Sequence, residues 1–164
     1  MASRGVDCKA IVRAMRHVRK FAVSQDGDGA MRWTLPASAA DCPHDLAKAL
    51  HTARASRVVF ALVFDADYPI KPPFVRLVQP EMRYLSGHVV TGGAICAEVL
   101  TMTDSPAAWR PTYTIEALFE SLLAMMAEGR PRFVDTDEAS SGLYTEENAR
   151  FGLQRVAKRY KWSL

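Results

Sequence analysis

The chain has 164 residues, of which 49% are hydrophobic, and its formal net charge is only +3 (21 Lys and Arg against 18 Asp and Glu). A chain of this length buries roughly 70% of its unfolded surface, so we expect a single domain that spans residues 1–164. The modest charge does not indicate a nucleic-acid partner. The longest apolar run, Val58 to Phe64, is far below the ~20 residues of a membrane helix, so we expect no membrane partner either.

The cysteine content points to a reducing compartment. Cys8, Cys42 and Cys96 are odd in number and widely separated, which favours neither a disulfide framework nor a paired-cysteine metal site. No Cys-x-x-Cys or His-x-x-x-His pattern is present, so no bound metal is expected. We expect a cytoplasmic protein, with the nucleus as a second compartment.

The N-terminal segment predicts an amphipathic helix that begins after Asp7. Its apolar stripe is formed by Ile11, Met15, Val18 and Ala22. Its other side is basic and carries Arg13, Arg16, Arg19 and Lys20. Two interpretations remain open for the basic side, a solvated helix face or a docking surface for an acidic partner.

The middle of the chain predicts a sheet with one helical insertion. Alternation from Met31 to Leu35 predicts a half-buried strand that ends at Pro36. A short helix is predicted after Cys42-Pro43, with Leu46, Ala47, Leu50 and Ala53 on its apolar side. The run Val58 to Phe64 predicts a strand covered on both faces, and Phe74 to Val78 predicts a further strand.

Two helices are predicted near the C-terminus. The first is capped by Thr112 or Thr114, has an apolar face broad enough to indicate burial, and ends at Gly129 and Pro131. The second is capped by Thr145. Its predicted inward residues are Phe151, Val156 and Tyr160. The order of elements is typical of an α+β fold.

Cys96 is the residue with the most informative surroundings. An isolated cysteine is most often a small buried hydrophobe. Here Gly92 and Gly93 precede it and allow a backbone turn closed to other residues, and irregular sequence flanks it, which predicts an outward-facing thiol. A cysteine hydrolase would need a base and an orienting group, and only His88 lies nearby; the spacing neither supports nor excludes that arrangement.

Other chemistry is less well supported by the sequence. Gly92-Gly93 is not a phosphate-binding loop, because no Gly-Lys-Ser/Thr follows it. The acidic residues Asp135, Asp137 and Glu138 follow a predicted helix and are interpreted as solvated loop charge. Because the phosphate-binding loop is missing from the sequence, we do not expect nucleotide binding.

Three segments in order resemble the ubiquitin-conjugating enzymes. They are Tyr68-Pro69-Ile70-Lys71-Pro72-Pro73-Phe74-Val75, Gly93-Ala94-Ile95-Cys96, and Trp109-Arg110-Pro111-Thr112-Tyr113-Thr114-Ile115. The run Phe74-Val75-Arg76, the Gly-Gly pair and Leu100-Thr101 look most like the Q-type branch. The resemblance covers most of the chain, from the first helix to Trp162. It implies an N-terminal helix, an antiparallel meander sheet, an active-site cysteine in an irregular segment, a central buried helix and a C-terminal helix.

The resemblance implies a carrier enzyme. Cys96 would accept ubiquitin or a ubiquitin-like modifier from an activating enzyme as a thioester, and would pass it to an acceptor amine or to a ligase cysteine. The activating enzyme consumes the ATP, so no cofactor is expected on this chain. The alternative is a catalytically inactive variant of the fold that acts as a ubiquitin- or ligase-binding module.

The chain departs from the family pattern at two catalytic positions. The family's His-Pro-Asn tripeptide, with the Asn eight residues before the cysteine, reads Ser86-Gly87-His88 here. We hypothesise that His88 replaces the Asn as a donor to the oxyanion, with a pH dependence that an amide would lack; the alternative is a structural or solvent-facing histidine. Many members also carry an acidic residue that guides the incoming lysine, and Asp135 is the candidate here.

The resemblance also implies two partner surfaces. The basic first helix, with Arg13, Arg16 and Lys20, would face the activating enzyme. The loops after the buried strand would contact a ligase through Ile70, Pro72, Trp109 and Pro111. The alternative is that the prolines only stiffen their loop and that the tryptophan covers the core.

Overall fold

The computed structural model describes residues 24–25, 31–138 and 142–164. The predicted first helix, with Arg13, Arg16 and Lys20, lies outside the described residues. Within the described part, no helix has both the length and the apolar character needed to cross a membrane.

The strands form an antiparallel meander, as the resemblance implies. Strands β1 (Ser24–Gln25), β2 (Met31–Ser38), β3 (Arg57–Phe64) and β4 (Phe74–Gln79) pair in chain order. Six of the eight β3 residues are buried, on both faces of the sheet. The prediction of a strand covered on both sides is therefore confirmed.

The prediction that Pro36 ends its strand is wrong. Strand β2 continues to Ser38, and Pro36 lies opposite Val59 of β3. On its other side β2 pairs with β1 only at Trp33 and Thr34, so among the described residues Pro36 has a neighbouring strand on one side alone. A proline lacks an N–H to donate and is tolerated at such an edge.

The predicted helical insertion is confirmed. Helix α1 (His44–Thr52) follows Pro43, connects β2 to β3 and buries Leu46 and Leu50. It packs against the central helix, α2 (Ile115–Glu128).

Helix α2 forms the centre of the fold. Thr114 caps it by accepting a hydrogen bond from the Ala117 N–H, and the helix ends at Gly129. The Phe119 ring packs edge-on against Phe60 of β3, with 5.1 Å between ring centroids. Its buried residues are Ile115, Leu118, Phe119, Leu122, Leu123 and Met126, which confirms the predicted buried helix.

The last helix, α3 (Glu146–Tyr160), is capped by Thr145 as predicted, but its packing differs from the prediction. Phe151 and Tyr160 were expected to pack inward; their exposed fractions are 59% and 58%, so this expectation is wrong. The buried residues of α3 are instead the small ones, Ala149, Gly152 and Ala157. Small residues are needed because the helix lies close to backbone of the segment that precedes Cys96.

Candidate active site

Cys96 lies at the end of a short hairpin, directly opposite His88. Val89 pairs with Ile95, and the Val90 N–H donates to the Ala94 carbonyl at 2.8 Å. One step outward, the Cys96 N–H donates to the His88 carbonyl at 2.8 Å. Both side chains line the same cleft. The eight-residue spacing in the sequence thus brings Cys96 and His88 to one site.

The turn of this hairpin depends on Gly92 and Gly93. Both have positive φ, +70° and +86°, which confirms the predicted backbone turn. A Cβ on Gly92 would lie 2.2 Å from the Ala149 nitrogen of α3, and one on Gly93 would lie 2.1 Å from the Leu77 carbonyl oxygen of β4. The glycines therefore also let the turn fit tightly between the sheet and α3.

Hydrogen bonds connect the segment Ser86-Gly87-His88 to the loop after α2. Ser86 is 2% exposed, its Oγ lies 2.9 Å from the Arg83 carbonyl oxygen and 3.1 Å from that of Arg132, and it accepts from the Arg132 N–H at 3.3 Å. The Gly87 N–H donates to the Gly129 carbonyl at 2.8 Å. These bonds fix the backbone that presents His88.

The His88 side chain is exposed beside Cys96. Its backbone has a φ of +59°, and a Cβ built on Gly129 would lie 2.6 Å from the His88 Cδ2, so the ring packs over that glycine. Within the described part of the chain, neither ring nitrogen makes a hydrogen bond. The imidazole can therefore donate an N–H to a group bound next to Cys96.

Cys96 opens into a cleft of about 410 Å³, which we call the cysteine cleft. The thiol is partly exposed, and burial raises its pKa above the ordinary value, so the thiol form predominates at neutral pH. One wall is hairpin and loop, and the other is α3. Its lining includes Tyr84, Leu85, His88, Gly152, Arg155, Arg159 and Tyr160.

Arg155 and Arg159 were not singled out in the sequence. Their spacing of three and seven residues from Gly152 places all three on one face of α3. That spacing is visible in the sequence, but the sequence does not indicate which element this face of α3 contacts. In the structure, this face of α3 lies beside Cys96.

Asp135 lies elsewhere. It lines a larger cleft of about 1030 Å³ beside α1, the α1 cleft, and not the cysteine cleft. A carboxylate oxygen of Asp135 lies 4.0 Å from the Arg54 Nε, and Asp137 forms an ion pair with the same arginine. Glu138 pairs with Arg83 at 3.2 Å. Among the described residues, no group of three or more His, Cys, Asp or Glu side chains is arranged to hold a metal ion.

The loops implied as ligase contacts differ in exposure. Ile70 is 64% exposed and Pro111 is exposed, whereas Pro72 is partly buried. Trp109 is only 2% exposed, and its indole Nε1 donates to the Pro69 carbonyl at 2.8 Å. The burial favours the alternative interpretation of Trp109, in which its ring covers the core and joins the two loops, and a partner contact of this residue stays a prediction.

The chain matches known proteins in sequence over most of its length. The family model described as ubiquitin-conjugating enzyme matches residues 56–156. A ubiquitin-conjugating enzyme of Drosophila melanogaster, named as E2 Q-like, is 28% identical over 145 residues, which are 87% of this chain and 45% of that protein. The E2 Q-like protein 1 of Mus musculus is 30% identical over 108 residues, 64% of this chain and 63% of that protein. The chain thus spans about half to two thirds of these relatives.

Solved structures of ubiquitin-conjugating enzymes share the fold. UbcA1 of Agrocybe aegerita superposes with a TM-score of 0.58 at 18% identity, over 88% of this chain and 99% of that one. Human E2 G1 gives a TM-score of 0.52 at 20% identity, over 73% and 90%. These likenesses show the fold. The family match shows that the chain belongs to the ubiquitin-conjugating enzyme family, and its curated relatives make it most similar to the Q-type branch.

Proposed function

We propose that the chain is an active conjugating enzyme in which Cys96 carries ubiquitin or a ubiquitin-like modifier as a thioester. The observation that carries the proposal is the position of Cys96, a partly exposed thiol at the end of a fixed hairpin, opposite the exposed imidazole of His88. A carrier needs an accessible sulfur in a fixed place and a donor for the oxyanion of the intermediate.

Charging would exchange one thioester for another. Cys96 loses its proton, and its thiolate attacks the carbonyl carbon of the thioester on the activating enzyme. A new S–C bond forms, and the tetrahedral intermediate collapses by expelling the activating enzyme's thiolate, which takes up a proton. The exchange is nearly balanced in energy, because the bond formed is of the same type as the bond broken. ATP is consumed upstream, so this chain needs no cofactor.

Discharge would proceed through the same kind of intermediate. A neutral acceptor amine attacks the thioester carbon, an amide C–N bond forms, the C–S bond breaks, and the amine proton passes to solvent. A ligase cysteine would instead receive the modifier by a second thioester exchange. The His88 imidazole would donate an N–H to the oxyanion in each case. The raised pKa of Cys96 would then return the expelled thiolate to the thiol.

The proposed partner surfaces are only partly described. We propose that a ligase contacts Ile70 and Pro111, and the exposure of both residues supports this. The proposed contact of the activating enzyme with Arg13, Arg16 and Lys20 concerns residues outside the described part.

A second function, a modifier- or ligase-binding module without turnover, is favoured by one observation. The imidazole of His88 stands where family members carry an amide. Loss of turnover with retention of the fold would leave the binding surfaces intact.

The deciding experiment incubates the protein with activating enzyme, ATP and ubiquitin and resolves the products with and without reductant. We expect a reductant-sensitive adduct that is lost in Cys96→Ala and retained in Cys42→Ala, the matched control at another cysteine that forms no disulfide among the described residues. Absence of an adduct with ubiquitin and with each ubiquitin-like modifier tested would contradict carriage and favour the binding module.

A further inference from the structure

The cysteine cleft has two unpaired positive charges. Arg155 and Arg159 line it together with Cys96, and both are exposed. Within the described part of the chain, neither guanidinium forms an ion pair, and no carboxylate lines this cleft. Several other arginines are paired with carboxylates, namely Arg32, Arg54, Arg83 and Arg150.

The position of the two arginines is fixed by the packing of α3. A Cβ on Gly152 would lie 3.0 Å from the Thr91 Cβ and 3.0 Å from its carbonyl oxygen, so the helix meets the hairpin of Cys96 at this residue. Arg155 and Arg159 follow one and two turns later on the same face. They therefore succeed each other along the cleft, leading away from that contact.

Aromatic and apolar groups surround these charges. The Arg155 guanidinium lies 5.9 Å from the centroid of the exposed Phe151 ring, within reach of a cation–π contact. Tyr160 stacks on Trp162, with 5.5 Å between centroids. Across the cleft, Tyr84 and Leu85 are 75% and 70% exposed. This combination of cations and exposed apolar groups suits a peptide segment that carries carboxylates.

The unpaired charges also act on the acceptor itself. A lysine ammonium that approaches Cys96 meets two like charges with no carboxylate in the lining to offset them, and like charges repel. Carboxylates next to the acceptor would cancel this repulsion and form charge-assisted hydrogen bonds with the guanidinium groups.

We propose that the cysteine cleft selects acceptor segments with Asp or Glu beside the acceptor side chain, whose carboxylates bind Arg155 and Arg159. The selection of acceptors rests on the proposed function, in which Cys96 carries the modifier. The affinity of the cleft for carboxylates does not rest on the proposed function. It can be measured on the protein that carries no modifier.

The first test is a single-turnover discharge. The Cys96 thioester is formed, the activating enzyme is stopped by removal of ATP, and one of two peptides is added; each has a single lysine, flanked by Glu in one peptide and by Gln in the other. Exposed charge pairs contribute about 0.2–1 kcal/mol each, so two of them give about a two- to thirtyfold preference for the Glu peptide, which salt reduces. The double variant Arg155→Ala with Arg159→Ala removes the preference, and Arg155→Glu with Arg159→Glu reverses it.

Lys158→Ala is the matched control, because Lys158 is an exposed cation of the same helix that does not line the cleft. It is expected to keep the preference. Alanine favours helix, so none of the alanine variants should disturb α3. Equal rates for the two peptides, or an equal slowing of both in the arginine variants, would overturn the proposal; the second result would assign the arginines to the modifier or to a ligase.

The second test needs no thioester and separates the two proposals. Cys96 of the uncharged protein is alkylated with iodoacetate, which is anionic, or with iodoacetamide, which is neutral, and modification at Cys96 and Cys42 is measured by mass spectrometry. We expect the iodoacetate-to-iodoacetamide ratio at Cys96 to fall about two- to fivefold in the double alanine variant, with no change at Cys42. An unchanged ratio at Cys96 would overturn the proposal, whereas failure to form a thioester alone would overturn only the proposed carrier function.

Discussion

The two clefts of this protein differ in the charges that line them. The lining of the α1 cleft carries both signs, with four carboxylates beside four cations, and Arg83 pairs there with Glu138. In the cysteine cleft, Arg155 and Arg159 line a wall without a carboxylate among the described residues. The cations of the α1 cleft are offset by carboxylates of the same lining, whereas those of the cysteine cleft are available to an anionic partner. The smaller cleft is therefore the better candidate for chemistry, although the α1 cleft has more than twice its volume.

The clefts also differ in how their walls are held. The cysteine cleft is built on a turn with no space for added atoms at Gly92 and Gly93, which lie against α3 and β4. The described ion pairs of the α1 cleft join side chains that are largely exposed, and such pairs contribute little stability. Packing thus fixes the position of Cys96, whereas the exposed ion pairs at the α1 cleft contribute little to holding its walls.

The largest expected effect is on this packing. Gly93→Ala should lower the free energy of unfolding by about 3 kcal/mol, because a Cβ there adds a clash 2.1 Å from the Leu77 carbonyl oxygen to the strain of a positive φ. Gly142→Ala is the matched control, since Gly142 also has a positive φ, +67°, but no atom of the described residues outside its chain neighbours lies within 4 Å of the added Cβ. Gly142→Ala should lower the free energy of unfolding by about 1 kcal/mol. Urea denaturation measures both, and equal losses would show that the hairpin yields easily.

The next effect concerns catalysis in the cysteine cleft. We expect His88→Ala to slow discharge of the Cys96 thioester onto lysine about 10- to 100-fold, because an oxyanion donor is lost. His88→Asn should stay within a few-fold of the parent, because the amide also donates an N–H and asparagine tolerates the positive φ of this position.

Asp135→Asn tests the other cleft in the same assay. Asp135 is not in the lining of the cysteine cleft, so discharge should remain within about twofold of the parent protein. A His88→Ala protein that discharges as fast as the parent would show that the histidine is structural. A large loss in Asp135→Asn would show instead that this carboxylate guides the lysine.

The elements of the fold were largely predictable because local patterns determine them. Thr114 and Thr145 cap their helices, and the β-branched run of β3 is buried on both faces. The misassigned residues share one cause: tertiary position overrides local pattern. Among the described residues, Pro36 has a neighbouring strand on one side only, and α3 meets the hairpin through Ala149 and Gly152, which leaves Phe151 exposed.

The candidate site was only half predictable. Cys96, His88 and the glycine turn lie within one segment, so their spacing indicated their proximity. Arg155 and Arg159 come from a helix more than fifty residues later in the sequence, and no local pattern states which face of that helix meets the cysteine. Asp135 illustrates the reverse case, because the family resemblance implied proximity to Cys96, but the loop directs Asp135 to the α1 cleft.

A smaller effect should be visible in the reactivity of the thiol. Burial disfavours the thiolate of Cys96, so the folded protein holds this proton to higher pH than the unfolded chain does. Alkylation by iodoacetamide at neutral pH should therefore be slower at native Cys96 than at the same cysteine in denaturant, and its pH profile should lie at higher pH. A profile displaced to lower pH would mean that the cations Arg155 and Arg159 outweigh burial.

The smallest effect is expected beside the α1 cleft, at Arg54, which pairs with Asp135 of the cleft lining. Arg54→Ala removes the pairs with Asp135 and Asp137 but keeps a Cβ at a residue whose φ is +56°, so the backbone strain is unchanged. Because the Arg54 side chain is 67% exposed, the free energy of unfolding should fall by less than about 1 kcal/mol, and by less still at high salt. Thioester discharge should not change. If Arg54→Ala reduced the preference for the Glu peptide as much as the double variant Arg155→Ala with Arg159→Ala does, residues beside the α1 cleft would also contact the acceptor, and the cysteine cleft alone would not select it.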